Sequence, residues 1–277
     1  MPRIDAHQHF WKYNPVRDSW ITDDMSVIRN DFLPEDIAAI LQQNNFDGLV
    51  VVQSDQSEEE NGFQLKNATD HHFIKGVVGW VDLRAADVED RLAYYSSFKK
   101  MKGFRHVLQG EQKRDLMLTP GFMNGISKLQ QFGFTYDILI YPDQLPYIPQ
   151  FVTSFPDQKF VIDHMAKPNI KEKDIDGWKK DMKALARFEN VYCKISGMVT
   201  EADWHNWKPG DFTACLDVVV KTFGVKRIMY GSDWPLCLVA GGYDRMINIV
   251  KTYFSSYSKD EQDLFFGENA TQFYDLT

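Results

Sequence analysis

Three cysteines, Cys193, Cys215 and Cys237, are too few and too widely spaced for a disulfide framework, and they form no CxxC pair. An odd count leaves at least one thiol free, which points to a reducing compartment rather than a secreted scaffold. Long apolar runs are missing too; none approaches the ~18 residues that a membrane span needs. Basic charge is in deficit, 31 Lys and Arg against 39 Asp and Glu for a net −8. Neither nucleic acid nor an anionic membrane is therefore an expected partner. No apolar leader core precedes Arg3-Ile4-Asp5-Ala6-His7, which reads as working sequence, so a cytoplasmic location is expected. There is no GxGxxG, Walker, GxSxG or HExxH motif, and hence no expectation of an organic cofactor. No low-complexity linker, charge block or internal repeat divides the chain.

What is present is an ordinary globular composition, 44% apolar and 25% charged, in a length that suits one closed α/β barrel of ~250 residues. Eight short β-rich runs recur: Arg3–Asp5, Phe46–Gln53, Ile74–Val81, Lys102–Val107, Phe134–Leu139, Lys159–Ile162, Val191–Ile195 and Arg227–Tyr230. Helical stretches fall between them: Glu35–Gln43 opened by Pro34, Asp87 to Lys100, Gly121–Phe132, Asp174–Arg187, Phe212–Phe223 and Tyr243–Phe254. Tyr141–Pro156, with four prolines, reads as a loop holding a short helix. Runs such as Gly48-Leu49-Val50-Val51-Val52 are apolar throughout, as strands covered on both faces are. The expectation is a (β/α)8 TIM barrel in a single domain spanning residues 1–277.

In such a barrel the reactive groups gather at the carboxyl ends of the strands. Strand periodicity turns His7 and His9 the same way, with Asp5 below them, and two imidazoles can bind one cation or one anionic group. Asp163-His164 ends an apolar run, and Lys167 follows over the same end. Of Arg105 and His106, on opposite faces of one strand, only one can enter the barrel. Lys194 interrupts an apolar strand and needs a carboxylate or an anionic ligand. Asp233, directly after the last run, lies near His7 and His9 if the barrel closes, as a metal ligand or a general base. Each has a plainer reading: a chance His pair, a core histidine, a structural ion pair, a turn-forming aspartate.

Together, Asp-x-His-x-His-Phe-Trp, Lys-Gly-Phe-Arg-His, Asp-His-x-x-Lys-Pro, Lys-Ile-Ser-Gly and Gly-Ser-Asp-Trp-Pro resemble the amidohydrolase superfamily. Within it the pattern is most similar to the lactonase-like branch and its sugar-acid lactonases of the L-fuconolactonase type, from residue 3 to Tyr274. The resemblance turns Arg105 toward substrate and implies His164, Lys194 and Asp233 on the sixth, seventh and eighth strands. Binuclear relatives carry a bridging lysine or glutamate on the fourth strand and a histidine on the fifth. Here those positions hold Arg105 and no histidine in Tyr136-Asp137-Ile138, which argues against a two-metal centre. One Zn²⁺, or another divalent cation, on His7, His9 and Asp233, with or without His164, stays open; so does a metal-independent site.

The expected reaction is hydrolysis of a sugar-acid lactone, with a small-molecule substrate as partner; a homo-oligomer is left open. Asp233 would activate water, while His164, Lys194 and Arg105 polarise the carbonyl. His7 and His9 would hold the ion or the lactone itself. Trp11, Gln53, Asp82, Asp137 and Lys167 are candidates for binding the sugar. Rival readings are a dicarboxylate lactonase of the 2-pyrone type, a mononuclear-zinc carboxy-lyase and a non-catalytic carbohydrate-binding barrel.

Overall fold

The computed structural model describes residues 1–277. Eight parallel strands form one sheet in sequential order: β1 (Ile4–Gln8), β2 (Gly48–Val52), β3 (Ile74–Gly79), β4 (Met101–His106), β5 (Thr135–Ile138), β6 (Phe160–Ile162), β7 (Val191–Ile195) and β8 (Ile228–Tyr230). The ends of the sheet meet through a parallel bridge between Gln8 and Trp234, so the fold is a (β/α)8 barrel. Each of the eight runs read from the sequence contributes one strand.

Helices α1 (Pro34–Gln43), α2 (Glu58–Asp70), α3 (Val88–Ser96), α4 (Pro120–Leu129), α5 (Ile148–Thr153), α6 (Asp176–Leu185), α7 (Thr213–Phe223) and α8 (Tyr243–Tyr253) connect the strands or, for α8, follow the last one. Pro34 sits in the first turn of α1, where no N–H is needed, and Asp36 accepts the amide of Leu33 at 2.8 Å. Helix α2 is absent from the sequence reading because its buried side is polar: Glu60, Asn61 and Gln64 face inward with Leu65 and Ala68. An apolar 3.6-residue stripe, the usual signal, is missing there. No helix is long and apolar enough to cross a membrane.

The double burial of β2 is visible residue by residue. Leu49 and Val51 pack outward in the large core beneath the helices, whereas Val50 and Val52 join Ile4, Ala6, Val78, Val161 and Met229 inside the barrel. Removing such side chains from water contributes ~1.5–3 kcal/mol each. The inner core continues into Ala270, Phe273 and Tyr274, at the end of α10 (Asn269–Phe273), which follows α9 (Lys259–Asp263). These residues form the floor of the barrel.

Strand β1 departs from regular alternation. Its register with β2 shifts between Asp5 and Gln8, so Ile4 and Ala6 point inward and His7 does too. Asp5 is not below the histidines, as simple periodicity predicts, but on the outer face. There it accepts Gln8 Nε2 at 2.6 Å, the Tyr243 hydroxyl at 3.1 Å and the Ser232 amide at 2.9 Å. A bulge of this kind re-aims a side chain next to it.

Candidate active site

At the carboxyl end of the barrel a cavity of about 390 Å³ opens between the βα loops, lined by His9, Trp11, Arg105, His164, Lys167 and Asp233 among others. Its size falls within the range of small-ligand pockets. The loop after β6 brings in His164 by an unusual route. His164, Met165, Ala166 and Lys167 all have φ between 52° and 54°, a left-handed turn without glycine that costs ~1–2 kcal/mol per residue. Asp233 is also left-handed, at φ 57°. Its amide donates to the His7 carbonyl at 2.9 Å, and the His9 amide donates to the Trp234 carbonyl at 2.8 Å.

These backbone bonds hold Asp233 against the histidines. Its Oδ1 lies 3.3 Å from His9 Nε2 and 3.8 Å from His7 Nε2 and has no hydrogen-bond partner although buried. Burial pushes the Asp233 carboxyl up, but the facing His164 and His9 and the Lys167 ammonium outweigh it and hold it below its ordinary value. Burial drives His7 and His164 well below the usual imidazole value, so both rings are neutral. Lys167 goes the other way: burial lowers it, and its ion pair with Glu201 at 2.6 Å more than compensates.

Arg105 enters the barrel and His106 does not. The Arg105 guanidinium donates to Asp163 Oδ2 at 3.1 Å and to the Gln53 carbonyl at 2.5 Å, while its Nε is buried without a partner. His106 turns outward, between Trp80 Nε1 and the Glu111 carboxylate.

Several candidate residues lie elsewhere than the sequence suggests. Lys194 is fully buried one layer beneath the cavity, donating to Asp137 at 2.5 Å and lying 3.0 Å from Asp163 Oδ1 and 3.1 Å from His7 Nδ1. Fully buried and outside the cavity lining, it is not placed to touch a carbonyl bound above. Asp137 is equally buried, accepts Lys194 and the Tyr274 hydroxyl (2.8 Å), and is not available to a sugar. Of the two carboxylates on Lys194, Asp137 is pushed up by burial. Asp163 feels the same burial, but Lys194, His7 and Arg105 hold it well below the usual range. Gln53 is buried and outside the cavity lining, its side-chain amide donating to the Arg105 carbonyl at 3.2 Å while its own backbone carbonyl accepts the Arg105 guanidinium. Asp82 lies outside the cavity in an exposed pair with Arg84 at 2.9 Å. His7 lies below the lining, its Nε2 3.1 Å from that of His9.

Other lining residues escaped the sequence reading. Arg17 and Asp18 form a two-bond ion pair at 2.7 Å in the loop after β1. Ser54 and Asp55 are held by Glu60, which accepts both of their amides. Gln56 and Gln109 complete the polar rim; Trp20, 43% exposed, stands beside Trp11 in the loop after the first strand, where the sequence places both above the site. The one available signal was position, since all lie in the loops that follow β1, β2 and β4. Asp163 and Ser196, which contacts His164 Nδ1 at 2.9 Å, lay within motifs already singled out.

The donor set suits one divalent cation. Ligand atoms of His7, His164 and Asp233 all come within 4.8 Å of one another, and no second group of this kind occurs. The two neutral imidazoles and the ionised, partly unpartnered carboxylate are the protonation states a cation requires. His9 lies outside that group but beside two of its members, its Nε2 3.1 Å from His7 Nε2 and 3.3 Å from Asp233 Oδ1, while its Nδ1 faces the Val52 carbonyl at 2.8 Å.

Comparison with known proteins agrees with this architecture. An L-fucono-1,5-lactonase of Burkholderia multivorans is 36% identical over 285 residues, covering 99% of this chain and 96% of that protein. A crystal structure of an amidohydrolase from B. multivorans with bound zinc superposes with a TM-score of 0.96 at 35% identity, each chain covered in full. A probable 2-pyrone-4,6-dicarboxylic acid hydrolase from Acinetobacter baumannii shares the fold, with a TM-score of 0.78 at 19% identity, over 99% of this chain and all of that one. The sequence pattern of the Amidohydrolase family matches residues 4–276. With a family match over nearly its whole length, the chain belongs to the amidohydrolase family.

Proposed function

We propose that the protein hydrolyses a sugar-acid lactone of the L-fucono-1,5-lactone kind to the free acid. One observation carries this reading: the Asp233 carboxylate, its Oδ1 unpartnered, lines a monosaccharide-sized cavity together with His164 and Arg105. Asp233 takes a proton from water as the water oxygen bonds to the lactone carbonyl carbon. Charge developing on the carbonyl oxygen meets the Arg105 guanidinium and His164, whose Nε2 carries a proton when the Ser196 hydroxyl donates to Nδ1. When the tetrahedral intermediate collapses, the ring C–O bond breaks and Asp233 returns its proton to the departing oxygen. A divalent cation on His7, His9, His164 and Asp233 would supply Lewis-acid polarisation of that carbonyl and acidify a bound water.

The remaining lining favours a neutral polyol over a dicarboxylate. Arg17 and Lys167 are already paired with Asp18 and Glu201, leaving Arg105 without a second free cation. Asp18, Asp55, Gln56 and Gln109 offer acceptors and donors to hydroxyls, and Trp11 offers an apolar ring. The test is a panel of aldonolactones in weak buffer with a pH indicator, corrected for spontaneous opening. Stoichiometric proton release on L-fucono-1,5-lactone is expected; release of CO₂ from an aromatic acid with no lactone turnover would overturn the assignment.

A further inference from the structure

Two buried oxygen atoms on residues that line the cavity have no hydrogen-bond partner: Asp233 Oδ1, on the proposed base, and Gln109 Oε1. Several other polar side chains of the rim are engaged before any ligand arrives. Gln56 Oε1 accepts the Val107 amide at 2.8 Å, the Ser54 hydroxyl donates to Glu60 at 2.8 Å, and Asp18 takes Arg17 at 2.7 Å and the Asn14 amide at 2.8 Å. Gln109 has the reverse arrangement, a committed backbone and an uncommitted side-chain oxygen. Its amide donates to the Leu139 carbonyl at 3.0 Å, and its carbonyl accepts Arg114 Nη1 at 2.9 Å. Arg114 is itself held by Asp143 at 2.7 Å and 2.8 Å. Val107 and Leu139, which line the cavity where β4 and β5 end, are apolar and offer no side-chain donor. A buried acceptor without a partner costs free energy that a ligand donor restores, and the fixed backbone means that little further ordering is needed to meet one.

We propose that Gln109 is a specificity-determining residue whose Oε1 accepts a ring hydroxyl of the bound lactone. The site thereby selects polyhydroxylated lactones over analogues that lack this hydroxyl. The inference rests on the sugar-lactone reading of the cavity and adds to it the group that reads one hydroxyl. A lactone without that hydroxyl leaves Oε1 buried and unpaired, so discrimination arises from what the wrong substrate fails to satisfy.

The test crosses protein variants with substrate variants. Wild type, Gln109→Leu and Gln109→Glu are compared by kcat/KM on L-fucono-1,5-lactone and on its three monodeoxy analogues, with circular dichroism to confirm folding. Gln109→Leu should lose roughly tenfold on the parent lactone, the scale of one hydrogen bond to a buried group. The wild type should lose a similar factor on one deoxy analogue, and on that analogue Gln109→Leu should be no slower than the wild type. Gln109→Glu keeps an acceptor oxygen in place and should retain most of the activity on the parent lactone. A merely structural role for Gln109 would slow Gln109→Leu on all four substrates alike, and that result would overturn the proposal. Wild-type kcat/KM from Gln109→Leu on the parent lactone would overturn it as well, showing that water satisfies Oε1 in the complex. If Gln109→Leu does not fold, Gln109→Ala takes its place in the comparison. Failure of the wild type to open any of the lactones would remove the functional reading and this proposal together, whereas turnover indifferent to Gln109 removes this proposal alone.

Discussion

Asp233 and His7 are joined through the backbone: the amide of the aspartate donates to the carbonyl of the histidine at 2.9 Å, across the seam between β8 and β1. The position of the proposed base therefore does not depend on its side chain. Asparagine also tolerates the left-handed conformation at φ 57°. Asp233→Asn should fold normally by circular dichroism while kcat falls ~10²–10⁴-fold, the usual loss for a general base. Near-native turnover from the folded variant would remove Asp233 from the chemistry.

The acid side of the pH profile tests the same residue. Asp233 is held below its ordinary carboxylate value, so it stays ionised, and competent as a base, throughout the neutral and mildly acidic range. Initial-rate kcat/KM should remain level down to the carboxylate range near pH ~4. Activity that instead disappears well above the carboxylate range would remove Asp233 as the base.

Metal content should not exceed one divalent ion per chain. The fourth and fifth strands contribute Arg105, engaged by Asp163 and Gln53, and Asp137, engaged by Lys194 and Tyr274. Neither is free to build a second centre. Elemental analysis after dialysis checks this, and two retained zinc equivalents required for turnover would contradict it.

Beneath the site, Tyr274→Phe removes one hydroxyl and leaves Asp137 with Lys194 alone. Losing a buried partner of a charged acceptor costs ~1–3 kcal/mol, so the urea midpoint should fall with the slope unchanged. An unaltered midpoint would show that the Tyr274 hydroxyl contributes nothing to stability.

The barrel was legible because eight parallel strands covered on both faces leave eight apolar runs, and the reactive residues beyond their ends form recognisable motifs. Depth was not legible. Asp137 and Lys194 lie within β5 and β7, one layer below residues such as His164 and Asp233 that follow a strand, and a linear pattern does not separate the two levels. Arg105 also lies inside a strand but is long enough to reach the cavity. The outward turn of Asp5 was hidden for a different reason, since a bulge changes facing without changing composition. Nothing in Asp163-His164-Met165-Ala166-Lys167 announces a left-handed turn, because no glycine marks it; the surrounding packing imposes it.

The floor of the barrel gives the site a dependence on synthesis order. Asp137 and Lys194 are in place once β8 has formed at Tyr230, but the hydroxyl that closes Asp137 from below belongs to Tyr274. A chain emerging from its amino end thus completes its eight strands more than forty residues before it can seal the charged layer that supports His7. Until then the underside of that layer lacks its cover, and the Tyr274 contact with Asp137 is among the last interactions the folding chain can secure.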